Sequence, residues 1–447
     1  MYNRVNRKNP KGENKMNYSN ISIFPDQKSA KPMKNVLGMN NIPRMTAEYH
    51  RPYFDALNIG HIRFHDAALE NPAMQVVDIS RIFPLFNLDE SKEENYFFTN
   101  TDDYFGYITN NAEIDFKVGE CIDHSKFKRS IGVPTDIDKW ARICRNIIGH
   151  YKNGEMHGMH LNITRVTVWE EPDNPACFQG SLEDYVKMFC AAYRTIKKDF
   201  PDIKVGGPAL QTHHPKFLED FIILCAKEGI KPDFISGTHY FRSVDGLMKR
   251  LSEHYEVMVR NGLADVKLSL AEHHYGPKDW NRVLYTEDNG FLSTESASYV
   301  ASSLIDMIDV DYIDVAYYYG WGTNYWGVAD RQSTTQHILP VYYGLLFFQK
   351  LAADCCNRIS VSVDNAHGAR ILAGKTADGK LRLLISCHEM EDCKFTISGI
   401  DANVAALKLI NDEYGDEVCK ESKELFANNG VFEITHKNAY GVYLLEF

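Results

Sequence analysis

Nowhere does the sequence run for eighteen apolar residues together, so a membrane-spanning helix is not expected. Nor is there an excess of basic charge: 49 Lys and Arg against 60 Asp and Glu leave a net charge of -11. Neither a nucleic acid nor an anionic membrane surface is therefore an expected partner. The opening stretch, MYNRVNRKNPKGENKMNYSN, is polar and basic and lacks the apolar core of a secretory signal. The compartment stays open on this reading: cytoplasmic, or periplasmic or secreted where a leader has been removed.

The ten cysteines form no C-x-x-C pair, and Cys144, Cys190 and Cys225 fall in helix-like patterns. Buried free thiols are expected rather than a disulfide framework or a zinc site, and Cys355-Cys356 reads as core packing. The histidine-rich spots, His157-Gly158-Met159-His160, His213-His214 and His273-His274, lack the H-E-x-x-H or facial-triad spacing. No metal and no other cofactor is expected. Also missing are a G-x-G-x-x-G after the first strand, internal repeats and low-complexity linkers.

What is present is an ordinary globular composition, 44% hydrophobic and 24% charged, over 447 residues. That length suits two or three domains, or one large barrel with an attachment. Aromatics reach 12%, with 25 tyrosines. This richness suits a sugar-binding cleft, and a large core equally.

Residues 1–30 read as a tail in which Ile21 to Phe24 can add a strand to another sheet. From there short apolar runs alternate with helical periodicity. Strands are expected at Val36–Asn40, His61–Asp66, Glu113–Val118, Ile163–Val168, Ile203–Gly207, Asp233–His239, Val266–Ala271 and Tyr312–Tyr319. Helices are expected between them, for example Ile137–Tyr151, with Trp140, Ile143, Ile147 and Ile148 along one side. Eight strands alternating with helices point to an α/β fold, a (β/α)8 TIM barrel, over residues 31–353. An excursion from Ala67 to about Asn110 is long enough to shape a cleft or merely to elaborate the surface. After Asp354 the period shortens to alternating runs separated by Asp378-Gly379, Gly415-Asp416 and Asn428-Asn429-Gly430. Residues 354–447 are expected to form a C-terminal antiparallel β-sandwich.

In such a barrel, chemistry sits at the C-terminal strand ends. Those ends carry Asn40-Asn41, Arg63 with His65, Glu170-Glu171, His239-Tyr240, Glu272 with Tyr275, and Tyr318 with Trp321. Glu171 and Glu272 are expected to face each other across one mouth. Two carboxylates about 5–5.5 Å apart suit retaining glycoside hydrolysis, one as acid/base and one as nucleophile. Tyr240, Tyr275, Tyr318, Trp321, Tyr325 and Trp326 are candidates for stacking on sugar faces, and Arg63 for holding a nucleophilic carboxylate ionised.

These stretches are recognisable. WEEP at the end of the fourth strand and LAEHHYGP on the seventh resemble the clan A glycoside hydrolases. With GMNNIPR, IRFHDA, KVGGPAL and DFISGTHYF, the chain looks most like glycoside hydrolase family 39, the family of β-xylosidases and α-L-iduronidases. That resemblance implies Glu171 as general acid/base, Glu272 as nucleophile, His239 and Tyr240 lining the sugar subsite, and Arg63 and His65 supporting the nucleophile. It also implies an exo-acting enzyme on a glycoside or oligosaccharide end, and it leaves room for a homo-oligomer. One departure matters: where the family usually has Asn before the acid/base, this chain has Glu170. A carboxylate accepts from a hydroxyl but cannot donate as an amide does. The sugar stays open among xylose, arabinose, galactose, glucose and a uronic acid. The competing readings are a carbohydrate-binding barrel without hydrolytic activity and a metal-dependent hydrolase using the histidines. Each residue also has a plain structural alternative: Glu272 as a rim ion pair with Arg63, His239 as a satisfied core histidine.

Overall fold

The computed structural model describes residues 16–43, 47–65, 75–108, 110–123, 126–280, 290–321, 327–329, 338–411 and 422–447. A first strand, β1 (Asn17–Lys28), precedes eight parallel strands: β2 (Leu37–Asn40), β3 (His61–Phe64), β4 (Glu113–Val118), β5 (Ile163–Val168), β6 (Lys204–Leu210), β7 (Phe234–Phe241), β8 (Lys267–Tyr275) and β9 (Ile313–Tyr318). They form the expected closed barrel in chain order, sealed where Leu37, Gly38 and Met39 pair with Ala316, Tyr317 and Tyr318.

The strands form because they are apolar and β-branched, and they are buried on both faces as parallel strands are. The helices start on designed caps. Asp136 accepts from Lys139 N, Ser181 and Asp184 make a reciprocal capping box, and Ser243 accepts from Gly246 N. A polar layer fills the barrel interior: Thr167 donates to Asp115 (2.9 Å), Arg165 reaches Asp314 and Ser269, and its guanidinium lies 3.9 Å over the Phe234 ring.

Two strand irregularities aim the site. Between β7 and β8, Gly237 pairs with Leu270 but Thr238 with Glu272, so Ala271 is an extra, bulged residue. Between β6 and β7, Pro208 pairs with Ser236 and Leu210 with Gly237, leaving Ala209 as the bulge. A bulge changes which face a following side chain takes, the usual device beside an active site.

After the barrel come β10 (Cys355–Asp364), β11 (Arg370–Thr376), β12 (Leu381–His388), β13 (Cys393–Ser398), β14 (Val404–Asn411), β15 (Lys423–Phe426), β16 (Phe432–His436) and β17 (Tyr440–Glu446). With β1 they build a nine-stranded, mostly antiparallel sheet with its own core, including Ile21, Leu383, Ile385, Phe395 and Phe432. Strand β1 pairs antiparallel with β10 and parallel with β13. The strand β15 had no counterpart in the sequence reading, whose Gly415-Asp416 turn lies outside the described residues. The sheet docks on helix Thr294–Met307 through small polar contacts: Ser302 Oγ donates to Ser386 Oγ (2.9 Å), and His388 bridges Ser298 Oγ (2.9 Å) and Arg242 O (2.7 Å). Each would be costly to bury unpaired.

Within the excursion after β3, the described part holds short helices at Ile79–Ile82 and Thr99–Phe105. None of the described cysteines is in a disulfide, and all but Cys356 are buried. Cys419 lies outside the described residues. No described helix is long and apolar enough to cross a membrane.

Candidate active site

Glu170 and Glu171 both turn into the barrel mouth. β5 stops at Val168, and the chain then takes left-handed φ at Trp169 (67°) and at Glu171 (44°). That conformation is costly for residues with a Cβ and is held from several sides. Trp169 donates its indole N–H to Cys177 O (2.9 Å) and its backbone N–H to Val118 O (2.7 Å); Glu171 N donates to Ala209 O (3.1 Å) at the bulge. The Trp169 ring packs on Gly119, where any Cβ would meet ring carbon at 2.5 Å. Glycine is required there for close approach.

Glu171 accepts from Asn174 Nδ2 (2.9 Å) and Thr238 Oγ1 (3.3 Å), both neutral donors. Burial, then the charge of Glu170, pushes its carboxyl up to about 7, partly offset by the Asn174 hydrogen bond. A carboxyl with that value is protonated or easily reprotonated near neutrality, as a general acid/base must be.

Glu272 is built differently. Its Oε1 lies 2.6 Å from His65 Nε2, and its Oε2 accepts a short hydrogen bond from the Tyr240 hydroxyl. His65 is fixed from behind by Asn41, which takes its backbone N–H (3.3 Å) and donates to its carbonyl (2.7 Å). Burial, then the charges of Glu170 and Glu171, raise the Glu272 carboxyl well above its ordinary value, against Tyr240 and Arg63. Carboxyls so close to one another resist being charged together, and Glu272 is the one that faces two donors, His65 and Tyr240. Burial, then Arg63 and Lys117, hold His65 well below its usual value. A neutral His65 therefore presents Nε2–H to Glu272 and leaves Nδ1 an acceptor.

Glu170 is anchored to Arg63 in a short ion pair through Oε2. Arg63 is fully buried, and its charge is kept by Glu170 and Asp115, which outweigh its desolvation. Arg63 Nη1 also reaches Asn40 Oδ1 (3.2 Å) and Ala271 O (3.4 Å), while Asn40 Nδ2 donates to Ala271 O (2.8 Å). The carbonyl exposed by the β8 bulge is thus captured, which sets Glu272 in the mouth. Glu170 Oε1 has no hydrogen-bond partner among the described residues; His65 Nε2 is 3.7 Å away.

His65, Glu170 and Glu272 place donor atoms within 4.8 Å of one another, a spacing that a divalent cation could also take. Arg63 already occupies one oxygen of Glu170, and a guanidinium at that distance repels a second cation.

Of the residues singled out in the sequence, the structure gathers Arg63, His65, Glu170, Glu171, Tyr240 and Glu272 at one mouth. The others lie elsewhere. Tyr275 donates to Glu295 (2.8 Å) beneath the Arg242 guanidinium, behind β8. Tyr318 bonds His274 Nε2 (2.8 Å) and is fully buried. Trp321 packs against Phe54 and His50 of helix Ala47–Ala56. The His239 ring turns away from the mouth toward His254 on helix Val244–Arg260, centroids 5.1 Å apart. Tyr325 and Trp326 lie outside the described residues. The sequence reading passed over Tyr319, whose ring meets His65 (5.7 Å) and Tyr240 (6.2 Å), and Trp280, stacked on Tyr240 at an interplanar angle of 11°. Strand alternation was the available signal for Tyr319: it shares a face with Tyr317, not with Tyr318.

The model of glycosyl hydrolases family 39 matches residues 77–277. A β-xylosidase of Caldicellulosiruptor saccharolyticus is 28% identical over 262 residues, 55% of this chain and 50% of that protein. A β-xylosidase of Geobacillus stearothermophilus is 26% identical over 116 residues, 26% of this chain and 23% of that protein. The chain thus spans half, or less, of the length of the curated relatives it matches. Among solved structures, a glucosidase from Croceicoccus marinus superposes with a TM-score of 0.75 at 18% identity, covering 96% of this chain and 98% of that one. A family 39 β-xylosidase from Caulobacter crescentus gives 0.69 at 15% identity, covering 96% and 99%. At these identities the structures show a shared fold. The resemblance to clan A glycoside hydrolases, and to family 39 in particular, rests on sequence and fold together.

Proposed function

We propose that the chain is a retaining glycoside hydrolase that removes a sugar from a glycan's non-reducing end by double displacement, β-xylosidase-like or closely related. One observation carries the reading. Two carboxylates at the mouth have unlike surroundings: Glu171 is raised to about 7 among neutral donors, and Glu272 is held by His65 and Tyr240.

In the first step a Glu272 oxygen attacks the anomeric carbon and forms an ester. The glycosidic C–O bond breaks, and Glu171 gives its proton to the departing oxygen. In the second step Glu171, now a carboxylate, takes a proton from water. The hydroxide oxygen bonds to the anomeric carbon, and the ester bond to Glu272 breaks. In the second step charge returns to the Glu272 carboxylate, where His65 and Tyr240 donate to it, an interaction stronger in that transition state than in the ester.

A panel of aryl glycosides with the wild type and Glu272→Ala tests this. Activity lost in the variant, returned by azide and indifferent to chelator in the wild type agrees with the mechanism. Full activity in Glu272→Ala contradicts the nucleophile assignment. Chelator-sensitive activity favours the metal-dependent reading, and binding without turnover of any member favours a carbohydrate-binding barrel.

A further inference from the structure

The C-terminal sheet docks on helix Thr294–Met307, and one of its side chains reaches on to the mouth end of β7. His388, the last residue of β12, is 7% exposed, and its ring lies among those of Tyr275, Tyr299 and Tyr440. Its Nε2 is 2.7 Å from Arg242 O, and its Nδ1 is 2.9 Å from Ser298 Oγ. A carbonyl only accepts, so Nε2 carries the proton and Nδ1 accepts from the serine hydroxyl. Burial lowers the imidazole below its ordinary value, against the hydrogen bond to Arg242, so the ring is neutral and its tautomer fixed.

Arg242 is the first residue past β7, two residues beyond Tyr240. Its guanidinium ties that strand end to the next one. Nη1 donates to Gly276 O (3.0 Å), Nη2 donates to Glu295 Oε2 (2.8 Å), and the group lies 4.4 Å over the Tyr275 ring. The Tyr275 hydroxyl donates to the same Glu295 oxygen (2.8 Å), and Gly276 N donates to Phe241 O (2.9 Å). The two strand ends are pressed together here, since a Cβ on Gly276 would meet the Tyr240 carbonyl at 3.2 Å. The backbone so gripped carries the Tyr240 hydroxyl that donates to Glu272. A donor in such a site has to be held within about 0.5 Å of its productive place by links of this kind.

We propose that His388 is a positioning residue for the reaction: by holding Arg242, it keeps the Tyr240 hydroxyl on Glu272. Given the reaction proposed above, on which this inference rests, that hydroxyl matters most when the ester breaks and charge returns to Glu272. The C-terminal sheet then serves the chemistry through the backbone of β7. Losing His388 is expected to slow ester breakdown, and to do so only while Tyr240 has a hydroxyl to misplace.

The test uses the full chain and the 2,4-dinitrophenyl glycosides of xylose, arabinose, glucose and galactose, whose good leaving group lets ester breakdown limit kcat. His388→Leu keeps the volume and removes both hydrogen bonds, whereas His388→Gln keeps a donor near the place of Nε2. The expected result is that His388→Leu lowers kcat on the order of tenfold in the wild-type background, and about twofold or less when Tyr240 is already Phe. A purely structural role gives the same factor in both backgrounds. His388→Gln should recover most of the loss. Should His388→Leu fail to fold, Ser298→Ala, which unties the other side of the imidazole, goes through the same cycle with the same pattern expected. Equal factors in both backgrounds, no loss in the wild-type background, or a Gln variant no better than Leu overturn the positioning role while leaving the hydrolase reading standing. No turnover of any of the four glycosides by the wild type overturns the hydrolase reading, and this inference with it.

Discussion

His65 Nε2 stands 2.6 Å from Glu272 Oε1, and the backbone of His65 is clamped by Asn41 on the neighbouring strand end. The histidine is a donor fixed in advance, aimed at the oxygen that, in the proposed mechanism, regains charge as the ester breaks. Such preorganised donors are worth more in a dry site than in water. Replacing His65 by Ala should lower kcat by about 10²-fold for substrates whose glycosyl ester breaks down slowly. With a donor gone, the Glu272 carboxyl rises further, so the acid limb of the pH profile should move to higher pH. Steady-state kinetics across pH reads both effects.

In the proposed mechanism the alkaline limb belongs to Glu171. Its carboxyl sits at about 7, so activity that needs its proton should fall as pH passes through about 7. In Glu171→Gln this limb should vanish for aryl glycosides with activated leaving groups, while glycosides of poor leaving groups become nearly inert. Glu171→Gln also removes one of the charges that raise Glu272, so the acid limb should shift to lower pH.

The same group carries a stability cost. Glu171 is raised in the folded state from an ordinary 4.5 to about 7. Between those values the folded chain binds more protons than the unfolded one, so stability falls as pH rises through this window. Glu171→Gln escapes the loss. Its advantage over wild type should be absent near pH 4 and reach on the order of 1–3 kcal/mol above pH 7. Thermal unfolding at the two pH values measures it.

Glu170 and Arg63 form the opposite case. Arg63 is fully buried, and Glu170→Ala would strand its guanidinium without a carboxylate. Breaking a buried pair from one side costs about 3–5 kcal/mol. Denaturant unfolding of Glu170→Ala should show a loss of that size, with Glu170→Gln intermediate.

The alternation of apolar runs and helical periodicity carried the barrel, because parallel strands buried on both faces announce themselves in composition. It also singled out Glu171 and Glu272 as strand-end carboxyls, each with a distinctive flank, and both side chains turn to the same mouth. What stayed hidden depended on irregular backbone. The bulge at Ala271 decides that Glu272 enters the mouth, and no pattern in Leu270-Ala271-Glu272-His273 signals it. Tyr318 and Trp321 were mistaken for mouth residues because strand-end position alone does not say which face a side chain takes. Both instead fill the space between barrel and helices. His239 was placed correctly along the chain, but its ring follows Gly237 and His254 on the helix side, not Tyr240 at the mouth. Trp280 lies beyond the end of β8, outside the strand pattern that periodicity reads.

The assignment of Glu272 is the point on which the mechanism turns. A 2-deoxy-2-fluoro aryl glycoside of the preferred sugar slows the second step and traps the ester, and peptide mass spectrometry locates it. The adduct is predicted on the peptide carrying Glu272, and absent from Glu272→Gln. An adduct on Glu170 or Glu171, or turnover of the parent glycoside with inverted product configuration, would contradict the account.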